Sequence, residues 1–306
     1  MNLQEHEPHP RNRIDARSEG GAGASAGAQA FKAEAREQWD RSAQGWNDHA
    51  PQIREWLRTA TDAMLDMSGV RPGARVLDVA AGAGDQTLDI ALRVGPTGLV
   101  LATDLSPGIL AFAQANAERA GLHNVTTLVA DGEELPVEPG SFDSAVCRLG
   151  LMLFPDAGRA LRGLYRALRP GGGVCVMVFG RPDRNPCITT LMATALKHAG
   201  LPPRDPSRPG GLLSLGRPAL LDTMFREAGF RDVATTTIDA PFRLPSARHY
   251  LDFVRSSASP IQQILGQLAP DAALAAWSDI ETRLAQFETP GAWVGPNELL
   301  LTAARR

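Results

Sequence analysis

The stretch Arg75-Val76-Leu77-Asp78-Val79-Ala80-Ala81-Gly82-Ala83-Gly84-Asp85-Gln86-Thr87 constrains this chain more than any other. Val76 to Val79 is a short apolar run that reads as a buried strand. Small residues end it, and apolar residues at helical spacing follow at Leu88, Ala91 and Leu92. Strand, small-residue turn and helix is the unit from which an α/β sheet builds a nucleotide site. The small residues let a ligand approach the backbone, and the free N–H groups of the helix face it. A plain tight turn is the competing reading, because runs of Gly and Ala make those as well. A second apolar run, Gly98 to Thr103, ends in Asp104 with Leu105 beside it, about 20 residues past the turn. A doubly wound fold places there the carboxylate that accepts hydrogen bonds from both ribose hydroxyls. Asp104 could cap the next helix instead, but Ser106-Pro107 already supplies an N-cap and a proline at the first helical position.

The same alternation continues. Strands are expected at 75–79, 99–103, 124–130, 142–147 and 173–179, and helices at 85–94, 107–120 and 156–168, with Gly121 and Pro170 as stops. Strands that alternate with helices imply a parallel sheet with right-handed crossovers. Val233 to Ile238 is the expected sixth strand, and Gly291 to Ala304 the seventh, antiparallel one. Asp131-Gly132 follows the third strand. At the C-terminal end of a strand the carboxylate can accept from an adenine amino group while Gly leaves room for the ring; an ordinary Asp-Gly turn is the alternative. Arg148 follows the fourth strand. Its guanidinium suits a ligand carboxylate, an anionic substrate or a structural ion pair.

The ordered series Val76-Leu77-Asp78-Val79-Ala80-x-Gly82-x-Gly84-Asp85-x-Thr87, Asp104, Asp131-Gly132-Glu133-Glu134-Leu135-Pro136, Gly140-Ser141-Phe142-Asp143, Arg148-Leu149-Gly150-Leu151 and Ala167-Leu168-Arg169-Pro170-Gly171-Gly172-Gly173 resembles the class I S-adenosylmethionine (SAM) methyltransferases. Within them it looks most like the UbiE-type quinone C-methyltransferases and their small-molecule relatives, which have Ala where Ala80 stands. The resemblance spans about Val70 to Gly180. It implies a Rossmann-like doubly wound sheet of seven mostly parallel strands with a helical lid, and SAM as cofactor. It also implies SAM-binding roles for Asp78, Ala80, Gly82, Gly84, Thr87, Asp104, Leu105, Asp131, Gly132 and Arg148. Arg148 departs from the UbiE pattern, which has a small hydroxyl residue there.

Outside that core the chain divides into a polar, Gly/Ala-rich tail over 1–30, expected to be disordered, and apolar helices over 31–68. Beyond the core at 69–180 lie a helical insertion over 181–216 and the end of the sheet over 217–306, with two or three helices at 246–288. N-terminal helices in the resembled superfamily close over SAM and substrate. Together these segments are expected to form the lid and the acceptor pocket, with Trp46, His49, Phe242 and Phe253 as lining candidates. A dimer interface is the other use for such helices.

With 43% hydrophobic and 21% charged residues the composition is that of an ordinary soluble protein. A net charge of -3 advertises neither nucleic acid nor an anionic membrane. No apolar stretch reaches the length of a membrane span or forms the core of a signal peptide, and Cys147, Cys175 and Cys187 read as buried thiols in a reducing cytoplasm. No His or Cys cluster has metal-ligand spacing. His49, and His249 beside Tyr250, are the candidate general bases, against the bland reading of surface or satisfied core histidines. The expected activity is SAM-dependent methylation of O or C on a small hydrophobic or aromatic molecule. The rivals are a SAM-binding regulator without turnover, and a methyltransferase acting on protein or nucleic acid.

Overall fold

The computed structural model describes residues 19–257 and 259–306. Helices α1 (Glu19–Asp48) and α2 (Ala50–Ser68) open it. The core follows as β1 (Arg75–Val79), α3 (Asp85–Val94), β2 (Leu99–Asp104), α4 (Pro107–Arg119), β3 (Val125–Val129), β4 (Phe142–Arg148), α5 (Ala157–Ala167) and β5 (Leu168–Phe179). Then come α6 (Pro186–His198), α7 (Leu220–Glu227), β6 (Arg231–Asp239), β7 (Phe242–Leu244), α8 (Ala247–Ser257), α9 (Ser259–Leu265) and α10 (Pro270–Leu284). Strands β8 (Glu288–Thr289), β9 (Ala292–Gly295) and β10 (Glu298–Arg305) end the chain.

Seven strands form the main sheet in the order β3-β2-β1-β4-β5-β10-β6. Strands β1 to β5 pair in parallel, while β10 runs antiparallel between β5 and β6. The chain order reverses between β1 and β4, which opens a crevice at the C-terminal ends of those two strands. Local chemistry agrees with each element. Ser106 accepts a hydrogen bond from the Ile109 N–H at 3.0 Å and caps α4, with Pro107 at its first position. Asp156 caps α5 in the same way through the Arg159 N–H at 2.8 Å. Val174 to Phe179 are all buried on β5, as expected of a strand covered on both faces, and both α2 and α5 pack on it. Val76, Leu77 and Val79 of β1 lie in the same core, with Ile90 of α3 and Leu161 and Leu164 of α5.

A second core is built from α6, α8, α9, α10 and a small sheet ordered β7-β9-β8, with the fully buried Trp293 inside it. Helix α1 touches both parts, packing on α4 at one end of the crevice and on α8 and α9. No helix among the described residues is long and apolar enough to cross a membrane.

Two expectations are corrected. Of the tail over 1–30, residues 1–18 lie outside the described residues, but 19–30 are helical and continue α1. Alanine, the strongest helix former, stands at Ala22, Ala24, Ala26, Ala28 and Ala30, and no proline interrupts the run. The strand expected over 291–304 is two strands in two sheets. Pro296 has no N–H to give a ladder, and the chain turns there from β9 of the small sheet into β10 of the large one.

Candidate functional site

The crevice is a cleft under α1, floored by the ends of β1, β2, β3 and β4, with an empty volume of about 1110 Å³ including its mouth. At the end of β1 the chain leaves the strand through Ala80 with φ 56°, and at the end of β4 through Leu149 with φ 57°. Both are left-handed conformations that cost a residue with a Cβ of the order of 1–2 kcal/mol. The strain sits on either side of the point where the strand order reverses, and both residues line the cleft.

The two glycines of the first turn do different work. Gly82 has φ 59°, and a Cβ built on it would meet nothing nearer than Ile109 Cδ1 at 3.9 Å, so bare backbone faces the cleft. A Cβ at Gly84, φ 87°, would stand 2.9 Å from the Ala113 backbone. This second glycine lets α3 and α4 pack closely.

Asp104 is anchored by backbone donors: the Gly82 N–H to Oδ2 and the Ser106 N–H to Oδ1, each at 3.0 Å. Burial pushes its carboxyl above the usual range, against the lowering effect of those N–H groups. The Leu105 N–H contributes as well, and Asp104 and Leu105 both line the cleft. Asp131 and Glu133, after β3, both grip Lys32 of α1, with Nζ–O distances of 2.6 and 2.5 Å. Burial lowers the Lys32 pKa, but the hydrogen bonds to Asp131 and Glu133 outweigh it and hold the ammonium above its ordinary value. A Cβ at Gly132 would strike the ring of Phe154, which closes that corner of the cleft. Helix α1 is tied down again where Asp40 accepts from the Gly108 N–H at 3.0 Å and from the Ser106 hydroxyl. Trp46 of α1 also lines the cleft and packs against Ala83 and Ile109; its buried indole N–H has no acceptor among the described residues.

Residues 52–195 match the ubiE/COQ5 methyltransferase family. The matched segment holds every cleft residue named above except those of α1. Over 119 residues the chain is 39% identical to the ubiquinone/menaquinone biosynthesis C-methyltransferase UbiE of Idiomarina loihiensis, covering 39% of this chain and 47% of that protein. The chain spans about half the length of the curated relatives it matches. In structure it is similar to the YcgJ protein of Bacillus subtilis, with TM-score 0.54 at 18% identity over 81% of this chain and 98% of that one. It is also similar to a phosphoethanolamine N-methyltransferase of Haemonchus contortus, with TM-score 0.55 at 19% identity over 89% of this chain and 60% of that one. These likenesses establish the fold alone, a Rossmann-like sheet of seven strands.

Against the ubiE/COQ5 pattern, Ala80, Gly82, Asp104, Leu105, Asp131, Gly132 and Arg148 line the cleft, whereas Asp78, Gly84 and Thr87 do not. Asp78 is fully buried beneath the floor, where it accepts from Thr87 Oγ1 at 2.7 Å and Gln86 Nε2 at 3.1 Å. It ties the first turn of α3 to β1. Burial raises its pKa to about 6, although both hydrogen bonds pull the other way. Arg148 is ion-paired to Asp85 at the start of α3 and donates to Thr61 Oγ1 of α2 at 3.0 Å. Its guanidinium thus makes an ion pair in the wall of the cleft.

The three candidate catalytic residues, His49, His249 and Tyr250, are not among those that line the cleft. His49 sits at the α1–α2 junction, its Nδ1 3.3 Å from Gln52 Oε1 and its ring edge-on to Phe253. His249 is exposed and holds Ser246 Oγ at 2.9 Å. Tyr250 is buried in the second core, stacked on Trp293 with centroids 4.7 Å apart, and burial pushes its phenol pKa up, away from the range a base needs. Phe242 and Phe253, expected to line the acceptor pocket, pack together in the same aromatic cluster. Lys32, Asp85 and Glu133 also line the cleft, outside the positions that the motifs assign to the cofactor. Glu133 belongs to a recognised motif, but nothing in the sequence around Lys32 marks it.

Proposed function

We propose that this protein is a SAM-dependent methyltransferase that carries a methyl group to carbon or oxygen of a small, largely apolar acceptor. One observation carries the reading: the bare backbone turn at Gly82, with Asp104 held against it by the Gly82 N–H. A nucleoside needs this pair, a floor without side chains and an anchored acceptor for two hydroxyls. The unpartnered indole N–H of Trp46 in the same cleft fits a ligand that brings an acceptor, such as the carboxylate of the methionine moiety.

SAM supplies an electrophilic methyl carbon on a sulfonium. In this reading Asp104 binds the ribose hydroxyls, Asp131 and Gly132 take the adenine edge, and the backbone from Ala80 to Gly82 carries the methionine end. Lys32 has to yield its hold on Asp131 as the base enters. Helix α1 then excludes water above the cleft, so that catalysis rests on alignment for in-line attack. The acceptor has its own room. A second cavity meets the cleft at Phe31, Ala35 and Leu153, and draws its walls from α1, α6, the loop over 201–213 and α9. All three segments expected to form the lid contribute to it. The name of the UbiE relatives, C-methyltransferase, supports carbon as the atom methylated.

Calorimetric titration with S-adenosylhomocysteine (SAH), followed by single-turnover transfer of labelled methyl from SAM to a metabolite pool, tests the reading. A folded protein that takes up no SAH would end it. SAH binding without transfer would leave the regulator instead.

A further inference from the structure

The second cavity has two kinds of surface. Ile188, Met192 and Leu196 of α6, with Leu201, Leu212 and Leu213 of the following loop, make an apolar wall. Lys197, Arg204 and Arg208 also line it, all three exposed, and none of their side chains has a hydrogen bond or ion pair among the described residues. The two acids of the lining, Asp205 and Glu34, each accept hydrogen bonds from neutral donors. Asp205 accepts the Ser207 N–H at 2.8 Å within its own turn, and Glu34 accepts from the side-chain amides of Gln38 and Gln263. The arginines stand on a braced loop. Pro202, Pro203, Pro206 and Pro209 restrict φ through it. The Arg208 N–H donates to Asp205 O at 3.2 Å, the Gly211 N–H to Arg208 O at 3.1 Å, and the Ser214 N–H to Gly211 O at 3.0 Å.

An exposed arginine is ordinarily a solvated surface charge and needs no ligand. Two of them, with a lysine, on the stiffened lip of an apolar cavity are different, because one molecule that fills the cavity can reach both surfaces. Guanidinium groups pair carboxylate or phosphate oxygens in bidentate geometry, and the prolines restrict the backbone that carries them. We propose that the acceptor is an amphiphile: an apolar body lying on the α6 wall, and one anionic group held at the mouth by Arg204 and Arg208. This deepens the methyltransferase reading and rests on it, since the apolar body must enter toward Phe31, Ala35 and Leu153 to reach the cleft.

The test is calorimetric titration of the full chain with dodecanoate, dodecanol and dodecylammonium, each below its micellar concentration, with SAH present. SAH alone is titrated first, so that loss of the cofactor reading is seen separately from loss of this one. Dodecanoate is expected to bind at least about 5-fold more tightly than dodecanol, and dodecylammonium most weakly, with the first preference shrinking as salt rises. The double variant Arg204→Gln/Arg208→Gln should reduce the preference for dodecanoate over dodecanol to less than about 2-fold while both still bind. Met192→Trp, which crowds the apolar wall, should weaken dodecanoate and dodecanol alike. Equal binding of the three probes, a preference that survives the double variant, or binding indifferent to Met192→Trp would each overturn the proposal.

Discussion

Replacing Asp104 by Asn keeps its shape and removes its charge, which makes the variant the sharpest probe of the cleft. In the native site the two carboxylate oxygens each receive a backbone N–H, Gly82 at Oδ2 and Ser106 at Oδ1. An amide has only one acceptor oxygen, so whichever way it faces, its NH₂ meets one of those donors. Leaving one buried donor unsatisfied costs about 1–3 kcal/mol of stability, and the low end applies here because the residue borders the cleft and water can reach its edge. The loss for a nucleoside ligand is larger. Hydrogen bonds to a charged acceptor contribute about 1.5–3 kcal/mol, which predicts SAH binding weaker by about 10- to 150-fold. Calorimetry on folded wild type and variant reads the second number, and urea unfolding the first. The pH dependence adds a check. Burial raises this carboxyl, and the ligand needs it ionised, so wild-type affinity should fall as pH is lowered toward the shifted pKa, while the Asn variant stays level through that window. SAH affinity within about twofold of wild type, in a variant of normal stability, would remove Asp104 from the ligand site.

Asp78→Asn tests the buried acid below the floor. The folded state holds the Asp78 proton more tightly than the unfolded chain does, with a pKa of about 6 against 3.8, so this group makes the fold less stable as pH rises through that interval. Two-odd units correspond to about 3 kcal/mol, so the unfolding free energy of wild type minus that of the variant should drop by up to that amount between pH ~4 and pH ~6.5 in urea titrations. A difference independent of pH would refute the shift. Gly82→Val should cost about 1–2 kcal/mol, because a β-branched residue resists φ 59°. The protein should still fold, since the position is open, but SAH binding should be lost as the side chain fills the cleft. A folded Val variant with native SAH affinity would mean that the turn only shapes the backbone.

The sequence carried the sheet and its floor because both are local. Period-two and period-3.6 patterns are written in neighbouring residues, and so are the cap at Ser106, the stop at Gly121 and the turn at Gly82. Asp104, Asp131 and Arg148 each end a strand, and a parallel sheet brings strand ends together whatever lies between them. That is why seven of the ten cofactor positions expected from the motifs line one cleft. The other three, Asp78, Gly84 and Thr87, occur at motif spacing for a structural reason, holding β1, α3 and α4 in register.

What the helices do was decided only in three dimensions. His249 and Tyr250 are adjacent on α8 and so lie about 100° apart around it; that His249 faces water and Tyr250 faces Trp293 was set by the second core, which fixed the rotation of α8. Lys32 reaches Asp131 and Glu133 across about a hundred residues, and no pattern near Lys32 records the angle at which α1 crosses the sheet. Pro296 breaks one apolar run into strands of two sheets, since only the packed molecule offers β9 a partner in β7. Periodicity tells which side of a helix must be covered. What covers it, and so which side chains meet in the acceptor cavity, follows from how segments distant in the chain pack to remove those faces from water.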